Sequence, residues 1–355
     1  METTRYNRQI ILPEVGTEGQ AKLLQAKVLL AGAGGLGATV LPYLVAAGVG
    51  EIGLIDDDIV AISNLQRQVI YKTSSVGETK VIEAQKMALA LNPDIKINIY
   101  NEKLTSKNAI SLFENYDIVV DATDNLSTKY LINDASIVTK TPFVYGSVFK
   151  FEGQVSVFNY QNGPSYRCLF PNKSQETKNC NESGVLGTSV GLIGMLQANE
   201  VLKMILGIGE VLSGELLVYN LLTNDQQKYS FSKSDVKVMS VLDFEEKYNN
   251  FIEEISAFEA LELANSPEVF FLDVRNFDET PQINLPNSIQ IPLDYLEKEL
   301  SQLDSNLALI VFCQSGIRSK KAVELLRKYD FKNVKSIIGG AIAIEKINKE
   351  TVAVF

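Results

Sequence analysis

Residues 27–37 read KVLLAGAGGLG. The apolar run Lys27 to Ala31 has the length of a strand buried on both faces, and it breaks into glycines. Gly32-Ala33-Gly34-Gly35-Leu36-Gly37 then opens a helix read over Ala38 to Ala47. Glycine reaches backbone conformations with positive φ and lets a phosphate approach the amides at a helix N-terminus. The next run, Glu51 to Ile55, reads as a second strand closed by Asp56-Asp57-Asp58. A carboxylate there can accept hydrogen bonds from ribose hydroxyls. Strand, glycine turn, helix, strand and acidic residue together predict a nucleotide-binding α/β unit.

The surrounding sequence extends that alternation. Residues 1–26 read as helix with a polar interruption at Pro13 to Gly19, Gly77 to Leu91 as helix, Ile95 to Tyr100 and Asp117 to Val120 as strands. A mostly parallel sheet follows from that order. Beyond residue 143 the pattern changes to hairpins, one over Phe143 to Asn159 turning at Glu152-Gly153, another over Gly214 to Phe231. Between them lie a polar stretch, Gln161 to Ser183, too long for an idle loop, and a helix over Gly184 to Leu206. The expected division is a nucleotide-binding domain with a mixed sheet over 1–235, a linker over 236–250 and a small α/β domain over 251–355. The last carries strands at Phe270 to Val274, Leu307 to Phe312 and Val334 to Ile338, and a helix at Lys320 to Tyr329.

Composition narrows the chemistry. The chain has 355 residues, no histidine, no tryptophan and three cysteines. This excludes a Ser-His-Asp triad and histidine metal ligation. Cys168, Cys180 and Cys313 are too few for a disulfide framework and point to a reducing compartment. The net charge of −10 disfavours non-specific binding to nucleic acid or anionic membranes. The N-terminus shows no apolar signal segment, and Val190 to Leu206 reads as too short and too polar to span a bilayer. A cytoplasmic protein is expected.

The residues after the acidic turn separate two nucleotide classes. Ser63-Asn64-Leu65-Gln66-Arg67-Gln68 and Lys80 bring amides and cations to the sheet edge. A nicotinamide dinucleotide needs little of this, whereas a triphosphate under attack needs cations on its leaving group and usually a metal. Asp124, followed by Asn125 after the DIVVD strand, is placed to hold magnesium. An NAD-dependent oxidoreductase and a non-catalytic sulfur-relay scaffold are the rival readings.

The ordered strings RYNRQI at 5–10, GAGGLG, LIDDD, SNLQRQ, Lys80 and DATDN resemble the MoeB/ThiF adenylyltransferases, relatives of ubiquitin-activating enzymes, over roughly residues 4–230. The resemblance implies a homodimer that binds ATP and magnesium and adenylates the C-terminal Gly-Gly carboxylate of a small ubiquitin-like sulfur carrier. It places Gly35 at the phosphates and Asp56 at the ribose. Asp58, Asn64, Arg67 and Lys80 would line the triphosphate, Gln68 and Asn125 would also bind the nucleotide, Asp124 would hold magnesium, and Arg8 would reach ATP from the partner subunit. Cys180, in KNCNESGVLG, resembles a crossover-loop cysteine that links covalently to the carrier in some members. Many relatives carry two zinc-binding C-x-x-C pairs. Here Ser165-Tyr166-Arg167-Cys168 keeps one cysteine of the first pair and the second pair is absent, so structural zinc is not expected. Cys168 reads as a buried small apolar residue.

Cys313-Gln314-Ser315-Gly316-Ile317-Arg318-Ser319 follows an apolar strand and precedes a helix. Successive amides in such a loop can cradle a polarised sulfur. The C-x₄-R spacing is one residue shorter than the C-x₅-R of cysteine phosphatases and suits a persulfide. LDVRNFDE at 272–279, CQSGIRSKKAVELL at 313–326 and IIGGA at 337–341 resemble a rhodanese domain over 250–355. The two resemblances imply one sequence of reactions, adenylation of the carrier and then delivery of sulfur from a Cys313 persulfide that a sulfur donor has loaded. Molybdopterin synthesis is the expected destination, with thiamine synthesis and tRNA thiolation as alternatives.

Overall fold

The computed structural model of the chain describes residues 5–171, 184–234, 239–249 and 253–352. The chain divides into two compact units, Met1–Glu246 and Lys247–Phe355. The segment read as a linker contains a helix, Val241–Asn249.

The first unit is built on β1 (Lys27–Ala31), β2 (Glu51–Ile55), β3 (Lys96–Tyr100), β4 (Ile118–Asp121), β5 (Phe143–Phe149), β6 (Glu152–Phe158), β7 (Glu215–Asn220) and β8 (Asp225–Ser230). They form one sheet in the order β3-β2-β1-β4-β5-β6-β7-β8. The strands from β3 to β5 pair in parallel, and those from β5 to β8 antiparallel. The sheet is mixed, as expected. The chain reverses its direction of growth between β1 and β4, and ligands of open α/β sheets bind outside the carboxyl ends at such a point. The glycine loop lies there. Val28, Leu29, Leu30 and Ala31 are all buried, the pattern of a strand covered on both faces.

Backbone contact sets the geometry at the end of β1. Gly32 has φ +103, and a Cβ on it would lie 2.8 Å from the Ala122 carbonyl oxygen. A Cβ on Gly37 would lie 2.1 Å from the Gly32 carbonyl oxygen. The Gly35–Ala47 helix can therefore pack tightly on β1 and β4 only with glycine at these positions. Its other side meets the helix Gly187–Leu206, where Val190 would stand 2.6 Å from a Cβ on Gly35.

That helix corrects one expectation. It has 20 residues and is long and apolar enough to cross a membrane by length and composition alone. In this fold Val190, Ile193, Ala198, Val201 and Met204 are buried in the core of the unit, which accounts for the apolar composition. The first hairpin turns at Lys150-Phe151, not at Glu152-Gly153. Lys150 takes the left-handed conformation (φ +54), while Gly153 sits within β6 because Ile193 leaves no room for a Cβ.

A helix not anticipated from sequence, Leu126–Thr139, begins where Asn125 accepts a hydrogen bond from the Thr128 amide. It carries Lys129, which is buried and donates to Asp121 (3.0 Å) and to the carbonyls of Thr123 and Gly146 (2.9 Å each). This cation pins the loop after β4.

The second unit contains β9 (Glu253–Ile255), β10 (Val269–Asp273), β11 (Ser288–Gln290), β12 (Ala308–Phe312) and β13 (Val334–Ile337), all parallel, in the order β11-β10-β12-β13-β9. Leu272 and Val311 face a core that includes Ala322, Val323 and Leu326, while Phe271 and Ile310 face a second core with Ile337, Ala341 and Ile344. Both faces of the sheet are covered. The three-residue β9 and β11 are too short to show a period in sequence.

Three stability changes are expected. Gly37→Ala, which sets a methyl group against fixed backbone, should lower the midpoint of thermal unfolding, while Gly191→Ala, mid-helix with nothing within 4 Å of the added carbon, should raise stability by about 0.5–1 kcal/mol. Lys129→Met leaves Asp121 buried without its cation and should cost about 3–5 kcal/mol in urea unfolding. A neutral result would mean that the pair does not hold the loop.

Candidate functional site

The glycine loop gathers several of the side chains singled out in sequence. Asp56 accepts from the Ala33 amide (2.7 Å) through one oxygen and from the Asp58 amide (2.9 Å) through the other. Burial raises its pKa above the ordinary value, partly offset by the Ala33 amide and the charge of Lys80. Lys80 starts the helix Lys80–Leu91, is only 5% exposed, and donates to Asp58 at 2.7 Å. The aliphatic part of Arg67 lies beside Gly35, and its guanidinium donates to the Ser63 carbonyl (3.0 Å). Gln68 is buried, its Nε2 lies 3.8 Å from the Cβ position of Gly34, and its Oε1 has no hydrogen-bond partner. A buried acceptor without a partner is costly unless a ligand completes it.

The remaining members stand differently. Asn64 Oδ1 accepts from the Ala61 amide, which fixes the turn that carries Arg67 and Gln68. Asp124 is exposed just after β4, beside the Ala122 carbonyl that touches Gly32, and Asn125 spends its side-chain oxygen on capping a helix. Arg8 is exposed on the short helix Asn7–Ile10, and no hydrogen bond or ion pair joins it to the glycine loop. Cys180 lies outside the described residues.

Sequence reasoning missed three groups that hold this loop. The Tyr71 hydroxyl donates to the Ala33 carbonyl at 2.7 Å, and burial pushes its pKa far up. Lys129 fixes the segment 121–123 from below. Gln197 donates to the Asp121 carbonyl (2.8 Å) and fills the space that a side chain at Gly146 would need. Neither Lys129 nor Gln197 stands out in sequence, since each lies on a helix with other polar residues, Asn133 and Asp134 on one and Asn199, Glu200 and Lys203 on the other.

In the second unit Cys313 directly follows β12 and is 1% exposed. Its Sγ accepts from the Gly316 amide at 3.2 Å and lies 3.6 Å from Ser319 Oγ. Ser319 in turn bonds to the Gly316 carbonyl and to Ser336. Burial pushes the thiol up, yet hydrogen bonds from Ser319, Ser315 and Gly316 outweigh it and hold the pKa below the usual value. Gly316 makes the turn at φ +93, and a Cβ on Gly340 would come within 2.0 Å of the Cys313 carbonyl oxygen. Arg275 is fully buried, paired with Asp273 (2.7 Å), and reaches the Pro281 carbonyl and Gln314. Arg318 and Glu279 form a two-point ion pair at 2.5 Å per contact. This pair holds Glu279 down to about 2.

Cys168 departs from the expectation of a buried apolar residue. It is half-buried, and its sulfur accepts from the amides of Ser165 and Ser234 at 3.4 Å each. Burial raises the thiol pKa, but the bonds to Ser165 and Ser234 win and lower it. Among the described residues no three His, Cys, Asp or Glu side chains gather into a metal-binding group.

The ThiF family model matches residues 6–238, and the rhodanese-like domain model matches residues 256–346. The "Probable molybdopterin-synthase adenylyltransferase" of Porphyra purpurea is 39% identical over 349 residues, covering 94% of this chain and 91% of its own length. The "Adenylyltransferase and sulfurtransferase MOCS3" of Culex quinquefasciatus is 38% identical over 388 residues, covering 98% and 89%. Among solved structures, MccB of E. coli, crystallised with AMPCPP and MccA, superposes with a TM-score of 0.60 at 23% identity, covering 67% of this chain and 74% of that one, a likeness of fold. The chain belongs to the ThiF family and carries a rhodanese-like domain behind its ThiF domain.

Proposed function

We propose that this protein adenylates the C-terminal glycine of a small ubiquitin-like sulfur-carrier protein and then passes sulfur to it from Cys313, making a thiocarboxylate for molybdopterin synthesis. One observation carries the reading: a single chain holds a glycine loop flanked by buried Lys80 and Gln68, and an amide-lined thiol on a C-x₄-R loop. The relatives it matches nearly end to end are named for adenylyltransferase and sulfurtransferase activities.

The residues at the glycine loop suit ATP as substrate. Gln68 Oε1 is a buried acceptor awaiting a donor, Gly34 leaves the loop surface open, and Lys80 and Arg67 supply positive charge. Asp56, at the end of β2, is the acceptor for ribose hydroxyls. Asp124, one exposed carboxylate beside the loop, is the residue to hold magnesium, which keeps most of its coordination for water and phosphate oxygens and, when bound, spreads the phosphate charge. Arg8 of the partner subunit completes the site in a homodimer. The carrier carboxylate attacks the α-phosphorus and pyrophosphate leaves. Lys80 and Arg67 stabilise the charge that builds on the leaving group, and the remaining work is alignment.

Sulfur transfer follows. The outer sulfur of a Cys313 persulfide attacks the acyl carbon and AMP leaves. A thiol then cleaves the resulting acyl disulfide at Cys313, releasing the thiocarboxylate and leaving a disulfide that an external thiol reduces. Cys180 is assigned as the cleaving thiol. The reactions take place in the cytoplasm, without nucleic acid or membrane as partner.

Carrier-dependent ATP–pyrophosphate exchange should vanish in Asp124→Ala and persist in Cys313→Ala, while thiocarboxylate, weighed on the carrier by mass spectrometry, should vanish in both. Exchange unchanged in Asp124→Ala would remove the ATP assignment. The lowered thiol pKa sets a pH dependence. Thiolate is present above the folded pKa and lost below it, so the rate of Cys313 persulfide loading should reach half its maximum below the ordinary cysteine value of about 8.5. Ser319→Ala, which removes one of the bonds, should move that midpoint upward, and an unmoved midpoint would deny the hydroxyl its part.

A further inference from the structure

The Cys313 loop has one basic side chain of its own, Arg318. A guanidinium at that place is the natural partner for a small sulfur-bearing dianion, since its fork takes two oxyanion oxygens at once. Here the fork is already filled. Arg318 Nη1 and Nη2 each donate to one oxygen of Glu279 at 2.5 Å. Glu279 is itself fixed, because its Oε1 also accepts the Asn276 amide at 2.8 Å. The segment that carries it is tied to the loop by two further contacts, Gln314 to the Thr280 carbonyl (2.8 Å) and Arg275 to the Pro281 carbonyl (2.7 Å). The same segment presents Asp278 to solvent. Of the neighbouring cations, Arg275 is buried on Asp273 and Lys320 is paired with Glu254 at 2.8 Å, leaving exposed Lys321 on the helix behind the loop. The mouth of the loop therefore holds an internal carboxylate where an external oxyanion would bind.

We propose that Glu279 sets the donor specificity of Cys313: by occupying the Arg318 fork it turns away small dianionic donors such as thiosulfate and leaves the loop to cysteine persulfides. This rests on the reading of Cys313 as the sulfur bearer and names the donor class for it. In the favoured reaction the Cys313 thiolate attacks the outer sulfur of a donor R–S–SH. A bond forms from Cys313 Sγ to that sulfur, the donor S–S bond breaks, and R–S⁻ leaves with the electron pair. The proton stays on the transferred sulfur and there is no net oxidation. With thiosulfate the leaving group is sulfite, and a dianion must approach Asp278 and Glu279. Like-charge juxtaposition of this kind weakens encounter and binding. Glu279 acts through Arg318, so it is a positioning residue.

The test uses the full-length chain, with sulfane sulfur on Cys313 read by cyanolysis and by mass. In the native protein kcat/KM should be higher for cysteine persulfide than for thiosulfate. Glu279→Gln keeps the shape and an acceptor for the Asn276 amide but removes the charge. It should lower KM for thiosulfate about tenfold while kcat/KM for cysteine persulfide stays within about twofold. Adding Arg318→Ala to Glu279→Gln should abolish the gain, because the fork itself is then gone. A thiosulfate KM unmoved by Glu279→Gln, with persulfide loading intact, would overturn the specificity role alone. A gain that survives Arg318→Ala would do the same. Failure of the native protein to load Cys313 from either donor would remove the reading of Cys313 and this inference with it.

Discussion

In both units a parallel strand ends and the chain must turn into a helix with its amides aimed at one small volume. Close backbone contact makes this possible. Gly37 lies against the Gly32 carbonyl, Gly32 against the Ala122 carbonyl, and Gly340 against the Cys313 carbonyl, in each case with no room for a Cβ. Positive φ at Gly32 and Gly316 completes the turns. Larger residues would push the helix off the sheet, and the amides would no longer converge. The nucleotide loop and the thiol loop both depend on this constraint.

A second device repeats across the two units. Asp121 ends β4 and Asp273 ends β10, both buried, and each is neutralised by a buried cation that also reaches backbone carbonyls of the adjoining loops. Lys129 does so for Thr123 and Gly146, and Arg275 for Pro281. A buried pair of this kind contributes little net stability against an apolar replacement, because desolvation offsets the attraction. It makes any other arrangement of the loop costly, since moving the loop strands a charge. Exposed Asp124 in one unit, and half-buried Gln314 and Arg318 in the other, thus stand on a charged but immobile base.

Much of this was legible in the chain. The runs KVLLA and EIGLI, the glycines after the first and the aspartates after the second identify the strand edge, because hydrophobic period and turn chemistry are local properties. The same holds for Cys313, whose loop is recognisable from its own spacing. The hairpin turn at Lys150-Phe151 was not legible, since Gly153 looks like a turn residue until Ile193 is seen to exclude a side chain there. The helix Leu126–Thr139, and the Lys129 it buries, also escaped notice.

The sequence by itself determined the α/β class and the positions of the glycine loop and the Cys313 loop, since each is written in neighbours along the chain. Only the tertiary structure decided the company these groups keep. It matched Lys80 with Asp58, left Gln68 Oε1 without a partner beside Gly34, put Ser319 under the Cys313 sulfur and filled the Arg318 fork with Glu279. The reason is physical. Charge and hydrogen bonding act through space over a few ångströms, and residues such as Glu279 and Arg318, 39 positions apart in sequence, become neighbours only when the sheet brings the ends of β10 and β12 together.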